Sequence, residues 1–326
     1  MPGTVAIVGA GQIGIAAARA FVDAGWQVFV HARSQPVWTV DQAYFHSYRL
    51  GSDPVPVADV IVDTIAFDAE DIARYDPDRV GRLITVSSAS VYCDEKGRTL
   101  DEAAGNGFPE FAAPRLETDP TVAAGPATYS TRKIAMEQAA KENFGERATI
   151  LRPCAIHGPW SRHPREWWFV KRFMDDRHRI PLVHPRASRF QTTSVDLIGR
   201  FAASAADRDL SGIFNLADRD APDVGEIGRT LAARCGATVE LVELEHLQGA
   251  VGRTPWSVTR PFVIAGDKAV TAGKIEAQTY AESIAPAVDW LFETDRYAWQ
   301  ATFPQLARYP WDMFDYAAED ALFQTL

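Results

Sequence analysis

Tyr129 and Lys133 stand four residues apart in Tyr129-Ser130-Thr131-Arg132-Lys133, and Glu137 follows four further on. Residues four apart share a helix face, so a helix here sets a phenol beside an ammonium. A nearby cation favours phenolate, which predicts a Tyr129 pKa lowered toward neutrality. A phenol tuned that way gives or takes a hydroxyl proton. The same lysine is able to hydrogen-bond a sugar hydroxyl of a bound cofactor. Tyr and Lys are common on helix surfaces, so the pair gains meaning only from its company.

Two other segments supply that company. Thr4 to Val8 reads as a buried strand running into Gly9-Ala10-Gly11-Gln12-Ile13-Gly14. A helix is predicted over Ile15 to Ala24, closed by Gly25, and a second strand over Val28 to Val30. Strand, G-x-G-x-x-G, helix and strand within roughly thirty residues is the setting a dinucleotide fingerprint requires. Gly9 allows the tight turn, Gly11 the approach of backbone to pyrophosphate, and Gly14 close packing of helix on strand. The helix N-terminus holds the negative charge. The second strand ends in Val30-His31-Ala32-Arg33, without the acid that usually meets the NAD ribose. An arginine there pairs with a 2′-phosphate, so NADP(H) is favoured and NAD(H) is the other candidate. The second segment is Leu83 to Val86, a strand opening into Ser87-Ser88-Ala89-Ser90-Val91-Tyr92. Ligands of parallel sheets sit beyond the carboxyl ends of strands, where a serine is able to hold a carbonyl or hydroxyl. Taken alone, the same residues read as a serine-rich turn.

In this order the segments resemble the short-chain dehydrogenase/reductase superfamily, and within it the extended branch, the NAD-dependent epimerase/dehydratase family and its atypical relatives. Further matching pieces are Ala58 to Thr64 as the fourth strand and Leu151-Arg152-Pro153-Cys154-Ala155-Ile156-His157-Gly158-Pro159 after the sixth. Phe190 to Ile198 and Gly212 to Ala217 resemble the two downstream landmarks, so the likeness spans roughly residues 4 to 217. It implies a Rossmann-type α/β fold, a doubly wound parallel sheet with a smaller C-terminal substrate lobe. The dinucleotide-binding domain is expected over 1–155, continued by about 186–217, with 156–185 and 218–326 forming the lobe. The resemblance also implies a catalytic set of Ser88, Tyr129 as acid/base, and Lys133 tuning the phenol and holding the nicotinamide ribose. Cofactor contacts are implied for Gly9, Gly11, Gln12, Ile13, Gly14, Arg33, Thr64, Ile65, Ala66, Lys133 and Pro153, and substrate contacts for Ser90, His157, Arg162 and Arg189.

The chain departs from the family pattern in several places. Val8 stands where the first Gly of G-x-x-G-x-x-G would be, Cys93 replaces the Gly after Val-Tyr, and Asp63 stands where a His is common. Dehydratases of the family carry an Asp-Glu pair where this chain has Ala89 and Ser90, which disfavours dehydration. Epimerisation or carbonyl reduction needs only hydride transfer and the tyrosine proton.

Composition bounds the remaining classes. The 326 residues are 47% hydrophobic with a formal net charge of −10, and no basic stripe suggests nucleic acid as a partner. No apolar run approaches the roughly 18 residues of a membrane span. Met1-Pro2-Gly3-Thr4 is expected to enter a strand directly, without a leader, and the three scattered cysteines fit a cytoplasmic protein without disulfides. The seven histidines lack metal-ligand spacing, so no metal is expected. Trp160 to Arg172 is dense in Arg, Lys and Trp, either a phosphate- and base-binding patch or a Trp-anchored helix with a solvated basic face. Val224 to Cys235 is predicted as helix, Ala237 to Leu244 as strand, and Gly105 to Gly125 as a loop that could cover the active site. The aromatic tail must pack on the body or on a second subunit of a homodimer.

The reading that leads is an NAD(P)-dependent epimerase or oxidoreductase of a hydroxyl or carbonyl carbon, with a sugar nucleotide as substrate. An NADPH-dependent reductase of a small carbonyl metabolite is the alternative. A non-catalytic nucleotide-binding regulatory protein is the alternative of another class, and the presence of Ser88, Tyr129 and Lys133 together argues against it.

Overall fold

Seven parallel strands form the central sheet of the computed structural model, which describes residues 3–326. Met1 and Pro2, from which a leaderless start was argued, lie outside the described residues. Six of the strands are β1 (Thr4–Val8), β2 (Gln27–Ala32), β3 (Ala43–Ser47), β4 (Val60–Asp63), β5 (Arg82–Val86) and β6 (Ala148–Pro153). Short strands β7 (Ala155–His157), β8 (Arg179–Val183) and β9 (Thr192–Ser194) precede β10 (Gly212–Leu216), and β11 (Glu240–Leu244) follows. The sheet order is β10-β6-β5-β4-β1-β2-β3. Strand order therefore reverses at β1 and β4, and the crevice at their carboxyl ends is where ligands of such sheets bind.

The sheet is buried on both faces, so its strands are near-continuous apolar runs. Val5 and Ile7 of β1 pack with Ile15, Phe21 and Phe201 on one face. Ala6 and Val8 point the other way, to Ile72, Met136, Ala140 and Phe144. The first face is covered by α1 (Gln12–Asp23) and α6 (Val195–Asp207); the second by α2 (Ala69–Ala73) and α4 (Tyr129–Phe144). Between β5 and α4 lie a single helical turn at Ala89–Val91 and one short helix, α3 (Ala103–Asn106), within otherwise irregular chain. A separate apolar cluster joins α5 (Trp167–Met174) and α7 (Val224–Arg234) to Trp256, Tyr280, Leu291 and Phe303.

That cluster answers two questions left open by the sequence. The aromatic tail packs on its own chain: Trp299, Phe303, Leu306 and Met313 are buried within it. The basic, Trp-rich run divides in two. Its second half is neither a ligand patch nor a solvated face, because Trp167, Trp168 and Arg172 are fully buried. Arg172 lies over the Trp168 ring and donates to Glu319 Oε1 at 2.6 Å and the Met313 carbonyl at 2.7 Å, which fastens the tail helix Tyr316–Phe323. The Gly105 to Gly125 stretch also differs from expectation. Arg115 pairs with Ile264, and Asn215 Nδ2 donates to the Arg115 carbonyl, so the loop is tied to the C-terminal half and covers no part of the cleft described next.

Candidate active site

Gly9 ends β1 with a φ of +107°, a conformation side chains rarely adopt, and a Cβ there would meet Thr64 Oγ1 at 2.3 Å. A Cβ on Gly14 would meet the Gly9 carbonyl oxygen at 2.1 Å, so Gly9 needs glycine for close approach of the turn after β4, and Gly14 for close packing of α1 on the end of β1. Gly11 instead faces open space. After β4, Thr64 N–H and Oγ1 both donate to the Val8 carbonyl at 3.0 Å. Asp63 is fully buried and shapes the next turn: its Oδ1 accepts from the N–H groups of Ile65 and Ala66, both at 2.8 Å, and Oδ2 from the Tyr75 hydroxyl at 2.7 Å. Burial pushes the Asp63 carboxyl up, against those three bonds and the Lys133 charge.

Thr128 caps α4, accepting from Thr131 N at 3.2 Å while Thr131 Oγ1 accepts from Thr128 N at 2.9 Å. This reciprocal box starts the helix at Tyr129 and leaves the phenol in its first turn. Lys133 and Glu137 follow on the core face and are buried. Lys133 Nζ donates to the Ala66 carbonyl at 2.7 Å and the Val86 carbonyl at 2.9 Å, tying the ends of β4 and β5 together. Burial lowers its pKa to about 8. Glu137 accepts from Ser87 Oγ at 2.6 Å, Arg152 Nε at 2.9 Å and Arg152 Nη2 at 2.6 Å.

One cleft of about 420 Å³ collects Gly11, Gln12 and Ile13 from the glycine turn, Thr64 and Ile65 from the end of β4, Ser88 and Tyr129, and Pro153. A groove of about 780 Å³ continues over Gly9 and Gly11 to Arg33, Ser34, Arg49 and Ser52. Lys133 and Ala66 lie beneath the cleft rather than on its wall. Ser88 Oγ accepts from Ser90 N at 3.1 Å and caps the short turn that follows β5.

The phenol behaves differently from the expectation. Burial pushes Tyr129 up to about 12, the Asp101 and Glu102 charges add to this, and the Ser88 hydroxyl opposes it. Lys133 sits 5.9 Å from the ring centroid with its ammonium committed to two carbonyls, so it does not pull the phenol down. The side chain is a proton donor in this state.

Of the four residues assigned to substrate, three do not line the cleft. Ser90 is buried, with Oγ 3.1 Å from Ser130 Oγ and accepting from Asp101 N at 3.2 Å. His157 is 1% exposed and turned inward, its Nε2 2.8 Å from Asp218 Oδ2; burial lowers its pKa, but that carboxylate outweighs it and leaves it raised. Arg189 bonds the Ala221 carbonyl and pairs with Asp223 and Glu226 at the start of α7. Arg162 does line the cleft. Sequence reasoning missed Asp101 and Gln305, which line the cleft with His163 and Arg165 from the first half of the basic, Trp-rich run. Asp101 brings a carboxyl to this cleft although the strand-end positions Ala89 and Ser90 carry none; surrounding protein and Glu102 push it up, and Arg165 opposes them. His163 Nε2 lies 3.1 Å from the Tyr309 hydroxyl, and burial beside Arg165 lowers its pKa to about 3, so the imidazole is neutral. No local pattern links residues 101, 163 and 305.

No protein-family model matches the chain, and no curated protein sequence matches it. Solved structures do. UDP-glucuronic acid 4-epimerase from Bacillus cereus, in complex with UDP-glucuronic acid and NAD, superposes with a TM-score of 0.65 at 13% identity, over 89% of this chain and 99% of that one. UDP-N-acetylglucosamine 4-epimerase from Methanobrevibacter ruminantium M1, in complex with UDP-N-acetylmuramic acid, gives 0.66 at 13%, over 90% and 99%. dTDP-glucose 4,6-dehydratase from Bacillus anthracis str. Ames, in complex with NAD, gives 0.64 at 14%, over 92% and 99%. With its seven-stranded parallel sheet and its crevice at the β1–β4 switch point, the chain carries the fold of the extended short-chain dehydrogenases/reductases, the NAD-dependent epimerase/dehydratase family.

Proposed function

We propose that this protein is a nicotinamide-nucleotide-dependent enzyme acting on a hydroxyl or carbonyl carbon, with a sugar nucleotide as substrate. The observation that carries the reading is the single cleft lined by the glycine turn, Ser88 and Tyr129. Residues 1–155, continued by about 186–217, are the dinucleotide-binding part. The glycine turn and the N-terminus of α1 fit a pyrophosphate, because Gly11 opens on free space and the first helical N–H groups lack partners. Thr64, Ile65 and Pro153 wall the nicotinamide side. A bound nicotinamide supplies hydride acceptance and return at the substrate carbon.

The chain's own groups manage the proton and the geometry. Ser88 holds the reacting oxygen, and Tyr129 exchanges a proton with it: the phenol gives its proton when a carbonyl is reduced, and the resulting phenolate takes one back when a hydroxyl is oxidised. Lys133 Nζ bonds two carbonyls beneath the cleft and lies 3.9 Å from Met136 Sδ, so it would meet a ribose hydroxyl by exchanging that weak sulfur contact for it. NADP(H) is favoured over NAD(H), because Arg33 and Arg49 line the outer groove with Ser34 and Ser52. This goes against the NAD held by the solved relatives. The UDP-sugars bound by two of those relatives support a sugar nucleotide here.

The test is turnover of a panel of UDP- and dTDP-sugars by wild type and Tyr129→Phe. Turnover is expected to fall at least about a hundredfold with nucleotide affinity kept; unchanged turnover removes Tyr129 from the mechanism. A tightly held NAD(H) in the purified protein favours epimerisation, and an exchangeable NADP(H) favours net reduction.

A further inference from the structure

Arg162 belongs to both cavities. Only Gly11, Ile65 and Arg162 line the inner cleft and the outer groove together. Gly11 and Ile65 come from the ends of β1 and β4, whereas Arg162 comes from the loop between β7 and α5, on the opposite wall. The junction of the two cavities is where a dinucleotide lying along them must place its pyrophosphate, which carries two negative charges. On the floor, α1 offers its N-terminal N–H groups, and its first turn holds no charged side chain. Arg162 is exposed, and among the described residues it makes no ion pair, hydrogen bond or ring contact. The other candidate arginines differ. Arg165 lines only the inner cleft and lies over the Trp256 ring; Arg33 and Arg49 line only the outer groove.

Resting on the nicotinamide-nucleotide reading above, we propose that Arg162 closes over the cofactor pyrophosphate from the substrate-lobe side, as a cation facing the glycine turn, rather than serving the substrate. A guanidinium suits this place because its planar fork meets two phosphate oxygens at once. The backbone leading to it is fixed: Trp160 holds a φ of +59°, and Arg19 lies over its ring. The same loop carries His163 and Arg165 into the far end of the cleft, so a seated cofactor also holds the wall that meets substrate.

Calorimetric titration of NADPH, NADH and ADP-ribose, without substrate, tests this on wild type, Arg162→Ala, Arg162→Lys and Arg165→Ala. Arg162→Ala is expected to weaken all three ligands by about ten- to a hundredfold, the range for hydrogen bonds to a charged group. Arg162→Lys should recover part of the loss, and Arg165→Ala should bind all three like wild type. Unchanged affinity in Arg162→Ala overturns the proposal, as does an equal loss in Arg165→Ala, which would mark a general effect of charge. Absence of nucleotide binding by folded wild type sinks the cofactor reading itself, and this inference with it. Arg162 is exposed and unpaired, so its removal should leave the melting temperature unchanged, which separates lost binding from lost folding.

Discussion

Replacing Glu137 by alanine removes the carboxylate that, among the described residues, pairs with the buried Arg152 guanidinium. Glu137 and Arg152 are 2% and 3% exposed, joined by bonds of 2.9 and 2.6 Å in a bidentate pair, and Ser87 adds a third bond to the same carboxylate. The Tyr92 ring lies 4.9 Å from the guanidinium carbon and offers no counter-charge. Arg152 Nη1 already lacks a partner, so the variant would leave most of its donors unmet in the interior. Breaking one side of such a pair costs about 3–5 kcal/mol, because the surviving charge stays desolvated. The double variant Glu137→Met/Arg152→Met removes both charges and should recover most of that loss. Equilibrium urea unfolding at pH 7 is the assay, with the midpoint shifted and the slope unchanged in the single variant. A loss under about 1 kcal/mol in Glu137→Ala would refute the account. So would a double variant no better than the single. The consequence reaches the cleft, since this pair joins α4, which carries Tyr129, to the ends of β5 and β6.

Arg33→Ala should weaken NADPH about tenfold or more while leaving NADH within about twofold, measured by fluorescence titration; equal effects on both nucleotides would remove Arg33 from 2′-phosphate recognition. Lys133 makes stability depend on pH. Its pKa falls from the ordinary 10.5 to about 8 in the folded chain, so the unfolded chain binds more protons between those values, and stability rises with pH across that window. The gain is about 3 kcal/mol by pH 10.5. The stability difference between wild type and Lys133→Met should carry that slope, and a flat difference from pH 8 to 10.5 would contradict it.

Much of the scaffold could be read locally. Thr4 to Val8 is a strand over those same residues, and Gly9 and Gly14 sit where only a missing Cβ permits the contact. The helix predicted at Val224 ends one residue early, at Arg234. Such features follow from spacing and backbone sterics, which act within a few residues. The Tyr129–Lys133 pair was equally visible, but its electrostatics were not. Whether an ammonium lowers a phenol depends on what else it touches, and the carbonyls of Ala66 and Val86 come from 67 and 47 residues away.

The sequence by itself determined the first strand, the glycine turn and helix after it, and the helix that carries Tyr129, because backbone freedom and hydrophobic period are properties of short segments. Tertiary structure alone decided which polar residues reach the cleft. It turned Ser90, His157 and Arg189 inward or onto carboxylates, and it assembled Asp101, His163, Arg165 and Gln305 across some 200 residues of chain. A polar side chain that is buried must find a partner, and that partner is set by packing between distant segments, which no local pattern encodes.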